Sequence, residues 1–136
     1  MDELSKALNA CYQHEMTLVV RYNNLAIQVG GLDRLHLEEF FKASAEESIG
    51  HAAKVGTWIL GLGGSPQGKV SEDLGEVPEG VEKMLQRALA DEQAAVDLYA
   101  KAIPLAKTDL ALREALVHIL KEERTGVDEL KLLLKK

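Results

Sequence analysis

Apolar residues return every three or four positions through four long stretches of this 136-residue chain, and that property decides most of what it can become. The spacing is the repeat of one helix face, so each stretch reads as an amphipathic helix with one side to bury. The first holds Leu4, Leu8, Cys11, Glu15, Leu18, Tyr22, Leu25 and Val29 in register and ends at Gly30-Gly31. The second, from about Asp33 to Leu62, holds Phe40, Ser44, Glu47, His51, Val55, Trp58 and Leu62. Gly61, Gly63, Gly64 and Pro66 close it, because glycine accepts the left-handed cap and proline cannot continue a helix. The third, from about Pro78 to Ala106, holds Val81, Leu85, Ala88, Glu92, Ala95, Tyr99 and Ile103, and Pro104 kinks or ends its last turn. Thr108 is the expected N-cap of the fourth, in which Leu112, Leu116, Ile119, Glu123, Val127, Leu130 and Leu134 share a face.

Short links after the first and third stretches predict two antiparallel hairpins. Between Gly63 and Glu79 about 15 residues can extend to ~50 Å, enough to run the ~40 Å length of such a helix. The predicted architecture is all-α: a four-helix bundle of two helical hairpins joined by a long crossover, helices two and three parallel, with no C-terminal fifth helix. Composition agrees, since 22 Leu and 16 Ala against six aromatic residues favour helix over strand. The length and the 46% hydrophobic content predict one compact domain over residues 1–136.

Sixteen basic against 22 acidic residues, a net charge of −6, argue against nucleic acid or an anionic membrane as a partner. No apolar run approaches the ~18 residues that span a bilayer. The start carries no basic segment followed by an apolar one, and the single Cys11 excludes an intrachain disulfide, so a cytoplasmic location is expected.

The unusual feature lies inside the stripes: each has a carboxylate near its middle, Glu15, Glu47, Glu92 and Glu123. A buried unpaired carboxylate costs several kcal/mol, so four at one depth must be protonated, paired with cations or bound to metal. The halves also echo each other. Tyr22 follows Glu15 by seven residues and Tyr99 follows Glu92 by seven, while Glu46-Glu47-Ser48-Ile49-Gly50 parallels Glu122-Glu123-Arg124-Thr125-Gly126. A phenol two turns from a carboxylate either bonds a metal-ligating Glu across the bundle or fills the core with its hydroxyl satisfied.

These residues resemble those of the bacterioferritins and their ferritin-like relatives, over almost the whole chain. The likeness is best at His51-Ala52-Ala53-Lys54 and the following Ile59-Leu60-Gly61-Leu62-Gly63-Gly64-Ser65-Pro66. The resemblance implies a di-iron site with one Glu from each of helices one and three and a Glu-x-x-His pair from each of helices two and four. Glu15 and Glu92 fall at the first- and third-helix ligands, and Glu123 at the Glu of the second pair. Two ligands depart: Ser48 stands three before His51 where the family has a bridging Glu, and Gly126 stands where it has the second His. The internal repeat offers another register, pairing Glu47 with Glu123, and a spacing of four still lets Glu47 and His51 chelate one ion. The expected cluster is therefore Glu15, Glu47, His51, Glu92 and Glu123.

One imidazole among carboxylates suits Fe(II), with Mn(II) or Zn(II) as alternatives, and implies one well-held ion with the second weak or absent. The family's haem-binding members use a Met where Ile49 stands, so no haem is expected. The competing reading is a metal-free bundle in which Lys54, Arg21 or Arg124 bends inward as the cation. Cys11 reads as a buried inert thiol, and His14, His36 and His118 as surface residues. Gly50, Gly56 and Gly126 inside helices mark either close helix contact or a cavity beside the carboxylates. The functional expectation is a ferritin-like iron-binding protein with an incomplete centre, a ferroxidase-type oxidoreductase if active and a homodimer or higher homo-oligomer. The alternative is a non-catalytic helical scaffold or binding module.

Overall fold

The computed structural model describes residues 2–136. Four long helices, α1 (Glu3–Gln28), α2 (Arg34–Gly61), α3 (Val81–Leu105) and α4 (Leu110–Leu134), are joined by two tight links and one long crossover with a single 3-10 turn at Glu72–Gly75. Local chemistry sets the boundaries. The Asp2 carboxylate caps α1 by accepting from Ser5 N at 2.7 Å. At the end of α2, Gly63 takes a φ of 86° while Gly63 N donates to Leu60 O and Gly64 N to Ile59 O, the paired bonds of a left-handed helix stop. The fourth helix is capped one residue later than expected: Asp109, not Thr108, accepts from Leu112 N at 3.1 Å. Pro104 stays inside the last turn of α3.

The crossover is fastened along α1. Asn9 Oδ1 accepts from Gln67 N at 3.0 Å, Thr17 Oγ1 accepts from Ser71 N at 3.1 Å, and Asn24 Nδ2 donates to Leu74 O at 3.4 Å. These three residues are about two turns apart, so the loop follows α1 from its first third to its end and starts α3 beside the start of α2. Helices α2 and α3 are therefore parallel, and α1 packs against both of them while α3 packs against α4. No helix among the described residues is long and apolar enough to cross a membrane.

The stripes of α1, α3 and α4 are buried as read from their period. In α2 the inward stripe is instead Leu37, Phe41, Ala45, Ser48, Ala52, Val55 and Ile59, with His51 beside it. One residue is 100° on a helix, so Glu47 turns out of the core and Ser48 turns in. The buried apolar residues form two blocks. One is centred on Leu18, Tyr22, Leu25, Phe41, Leu85 and Leu130, the other on Leu8, Cys11, Val55, Ile59, Tyr99, Leu116 and Ile119. Between them lies a polar layer of Glu15, Ser48, His51, Glu92 and Glu123, all buried.

The helical glycines differ in what surrounds them. A β-carbon on Gly56 would meet the Tyr12 ring at 3.3 Å, and one on Gly126 would meet the Glu92 carboxylate at 3.3 Å, whereas Gly50 faces open space. Gly50→Ala should therefore gain about 1 kcal/mol, the full difference in helix propensity, while Gly126→Ala gains nothing because it must displace Glu92. Paired urea melts check this; an equal gain in both would mean that Glu92 does not rest on Gly126.

Candidate metal centre

Three side chains from three helices meet in the polar layer. Glu15 comes from α1, His51 from α2 and Glu123 from α4, and one ligand atom from each lies within 4.8 Å of the others. His51 Nδ1 sits between the two carboxylates, 3.1 Å from Glu15 Oε2 and 2.9 Å from Glu123 Oε1. Burial by itself pushes the imidazole down, but the two carboxylates outweigh it and lift His51 from 6.5 to about 11. At neutral pH it is a cation holding two acids. Lys54 is exposed, Arg124 pairs at 3.6 Å with Asp128 outside the layer, and Arg21 turns to α3, so none of these three supplies the positive charge.

Glu92 approaches from α3 and lies over Gly126. Burial first, then the Glu123 carboxylate, raises it to about 9, against the pull of a hydrogen bond from Tyr22. Burial also raises Glu123 above the usual carboxylate range, despite its bonds with His51 and Glu92. The tyrosines are straps between the hairpins. Tyr22 of α1 donates to Glu92 Oε1 of α3 at 2.5 Å, and Tyr99 of α3 donates to Glu15 Oε2 of α1 at 2.7 Å. Of the two readings open for these phenols, cross-bundle bonding to a carboxylate is the one the fold adopts.

Glu15, His51, Glu92 and Glu123 are thus brought into one layer, and Glu47 is not. It is exposed on the rim, and the inward position that a second bridging carboxylate would need belongs to Ser48. Cys11 is fully buried, and burial with the nearby Glu15 and Glu123 carboxylates pushes its thiol up to about 12, an inert group.

The donor set fits a divalent cation on two counts. Glu15 Oε1 and Glu92 Oε2 are buried with no N–H or hydroxyl donor on them and with other carboxylates as neighbours. Two carboxylates and an imidazole from different helices also supply the oxygen and nitrogen ligands that Fe(II), Mn(II) and Zn(II) accept. The same donors do not make a symmetric pair of sites, because Ser48 and Gly126 leave the Glu92 side with carboxylates alone.

Beside the layer, Arg21 Nε is 2.7 Å from Asp91 Oδ2, Arg87 Nε is 3.6 Å from Asp91 Oδ1, and His14 Nε2 lies 2.8 Å from the Asp91 carbonyl. His14, expected at the surface, is half-buried in this contact, which locks α1 to α3 next to Glu92. The only hint in the sequence is position: His14 and Asp91 each directly precede a Glu of the layer.

A carboxylate and histidine layer across a two-hairpin bundle defines a ferritin-like four-helix protein. The ferritin-like domain family model matches residues 5–136, and the chain belongs to that family. A ferritin-like, diiron-carboxylate protein from Bacillus anthracis str. Ames is 27% identical with a TM-score of 0.91, covering 99% of this chain and 100% of that one. Rhodobacter capsulatus bacterioferritin, solved with a metal-free dinuclear site and a haem iron, shares the fold at 24% identity and a TM-score of 0.86 over 98% of this chain and 85% of that one. No curated protein matches.

Proposed function

We propose that the chain is an iron-handling bundle whose incomplete centre holds one Fe(II) on Glu15, His51 and Glu123, with Glu92 reaching in from α3. The observation that carries this is the convergence of the three side chains within 4.8 Å around an unsatisfied Glu15 oxygen. Glu15, His51 and Glu123 would hold the ion, and Fe(II) so bound would supply an electron to O2 or peroxide, the chemistry of a ferroxidase-type oxidoreductase. The protein's part is to hold carboxylates rigid and to move protons. Tyr99 fixes Glu15 and Tyr22 fixes Glu92, each from the opposite hairpin, so a cation meets oxygens already placed. Mn(II) and Zn(II) suit the same donors, and Ile49, 53% exposed, offers no axial ligand to haem.

Ligation requires His51 Nδ1 and Glu92 to be free of protons, which at pH 7 they still hold, with values lifted to about 11 and about 9. Metal uptake at neutral pH should therefore release protons, and apparent affinity should climb with pH across the neutral range. The chain purified with iron supplied should contain about one equivalent and consume O2 on Fe(II) addition. No stoichiometric metal, no proton release and oxidation at the buffer rate would sink the proposal.

A second reading has its own support: the His51 imidazolium already pairs with both Glu15 and Glu123 and offsets one of their two charges, so the layer is less costly without metal. On that reading the chain is a non-catalytic scaffold, and the same measurements decide. The proposal includes self-association into a homodimer or larger assembly. Ile27, Leu32, Leu35, Leu132 and Leu133 are exposed near the end of the bundle where α1 and α4 finish. Sedimentation that returns a monomer at every concentration would remove that part.

A further inference from the structure

The inner face of His51 is used by the centre; its outer face is not. His51 Nε2 is buried, makes no hydrogen bond, and points at Glu122 Oε1 3.5 Å away. That same oxygen is 3.3 Å from His118 Nε2, one turn back on α4 and 68% exposed. Glu122 itself is 36% exposed, so the three residues form a continuous line from solvent to the centre. Around the mouth carboxylates outnumber the Lys54 ammonium. Although Glu47 is at the surface, partial burial first, and then the Glu92, Glu122 and Glu129 carboxylates, raise its carboxyl above the usual range against the pull of His51. Beside them a groove of 590 Å³ between α2 and α4, lined by Lys54, Trp58, Ala115 and His118, leaves His118 open to solvent.

Resting on the metal-binding reading above, we infer that Glu122 and His118 form an outer landing site for a divalent cation, from which the ion passes along the His51 face to Glu15 and Glu123. An oxygen and an imidazole one turn apart offer a weak, exchangeable pair of ligands, and the Glu47 and Glu129 carboxylates raise the local concentration of cations. The centre needs such a route because Glu15, His51 and Glu123 are themselves buried. On arrival, Glu122 remains as the acceptor for the His51 Nε2 proton, fixing the tautomer that leaves Nδ1 free to bind.

The test uses Zn(II) as the probe and the intact chain. Calorimetric titration of the wild type should give a tight site and a weaker second one. In His118→Ala and in Glu122→Gln the weaker site should vanish. Filling of the tight site, followed with a zinc-responsive chelator in stopped flow, should slow by about tenfold. His36→Ala, an exposed histidine at the start of α2, should fill at the wild-type rate. If both variants fill as fast as the wild type, the landing site is overturned while the centre stands. A wild type that takes up no Zn(II) overturns the centre and the landing site together.

Discussion

His51→Ala should lower the stability of the metal-free chain by about 3–5 kcal/mol and end tight metal binding. The imidazolium lies between Glu15 and Glu123, both buried, and its removal leaves two acids facing each other with Glu92 alongside. Taking one partner out of a buried ion pair costs far more than the pair itself contributes, because the remaining charge stays desolvated. The pH profile identifies the cause. His51 has its folded value raised from 6.5 to about 11, so its contribution is complete below about 6.5 and is lost as pH rises through about 11. The gap between wild type and variant in urea melts should therefore be wide at about pH 6 and narrow by about pH 10. A gap that stays constant over that range would show that packing, not charge, is what the imidazole contributes.

Ser48→Glu combined with Gly126→His should raise the metal content from one equivalent to two. Ser48 is 4% exposed and points into the layer, so a Glu there arrives at the same depth as Glu123. At position 126 the obstacle is soft: the nearest atoms to a β-carbon all belong to the Glu92 side chain, its carboxyl end at 3.3 to 3.4 Å, and that flexible side chain can shift. Without metal the double variant adds a fourth acid to a layer that already buries Glu15, Glu92 and Glu123 and should lose several kcal/mol relative to wild type. With metal it should recover that loss, so the shift in thermal midpoint on adding Mn(II) or Fe(II) becomes much larger than in the wild type. Elemental analysis still returning one equivalent would mean that Ser48 and Gly126 are not what limits the site.

Three of the four helices were legible because their stripes are uniform. In α1, α3 and α4 every position of the stripe except the single Glu is apolar or aromatic, so the period has one phase, although Ser5, Asn9, Thr17, Arg21 and Asp91 are buried beside it. In α2 the paired residues Phe40-Phe41 and Trp58-Ile59 satisfy two phases equally well. The inward Ala45, Ser48 and Ala52 are small and carry little apolar signal, and the likeness of Glu46-Glu47 to Glu122-Glu123 favours the phase that holds Glu47. That is why Glu47 was expected where Ser48 stands. His51 escaped the ambiguity because its side chain reaches the layer from the edge of the stripe. The Arg21 and Asp91 pair was hidden for a different reason: a charged residue beside a stripe reads as solvated, and only the docking of α1 on α3 tells which of them face each other. The Tyr22 and Tyr99 spacing was visible, but which carboxylate each phenol holds depends on how the hairpins meet.

The exchange of tyrosines between α1 and α3 makes the two halves of the chain mutually dependent. Tyr22 braces the acid of the second half and Tyr99 braces the acid of the first, so severing the crossover into independent peptides would leave each with a phenol lacking its acceptor and a carboxylate lacking its donor. Neither half is a smaller working version of the whole. A single repeat of this kind becomes competent only by docking face to face with another, and the covalent crossover makes that meeting permanent.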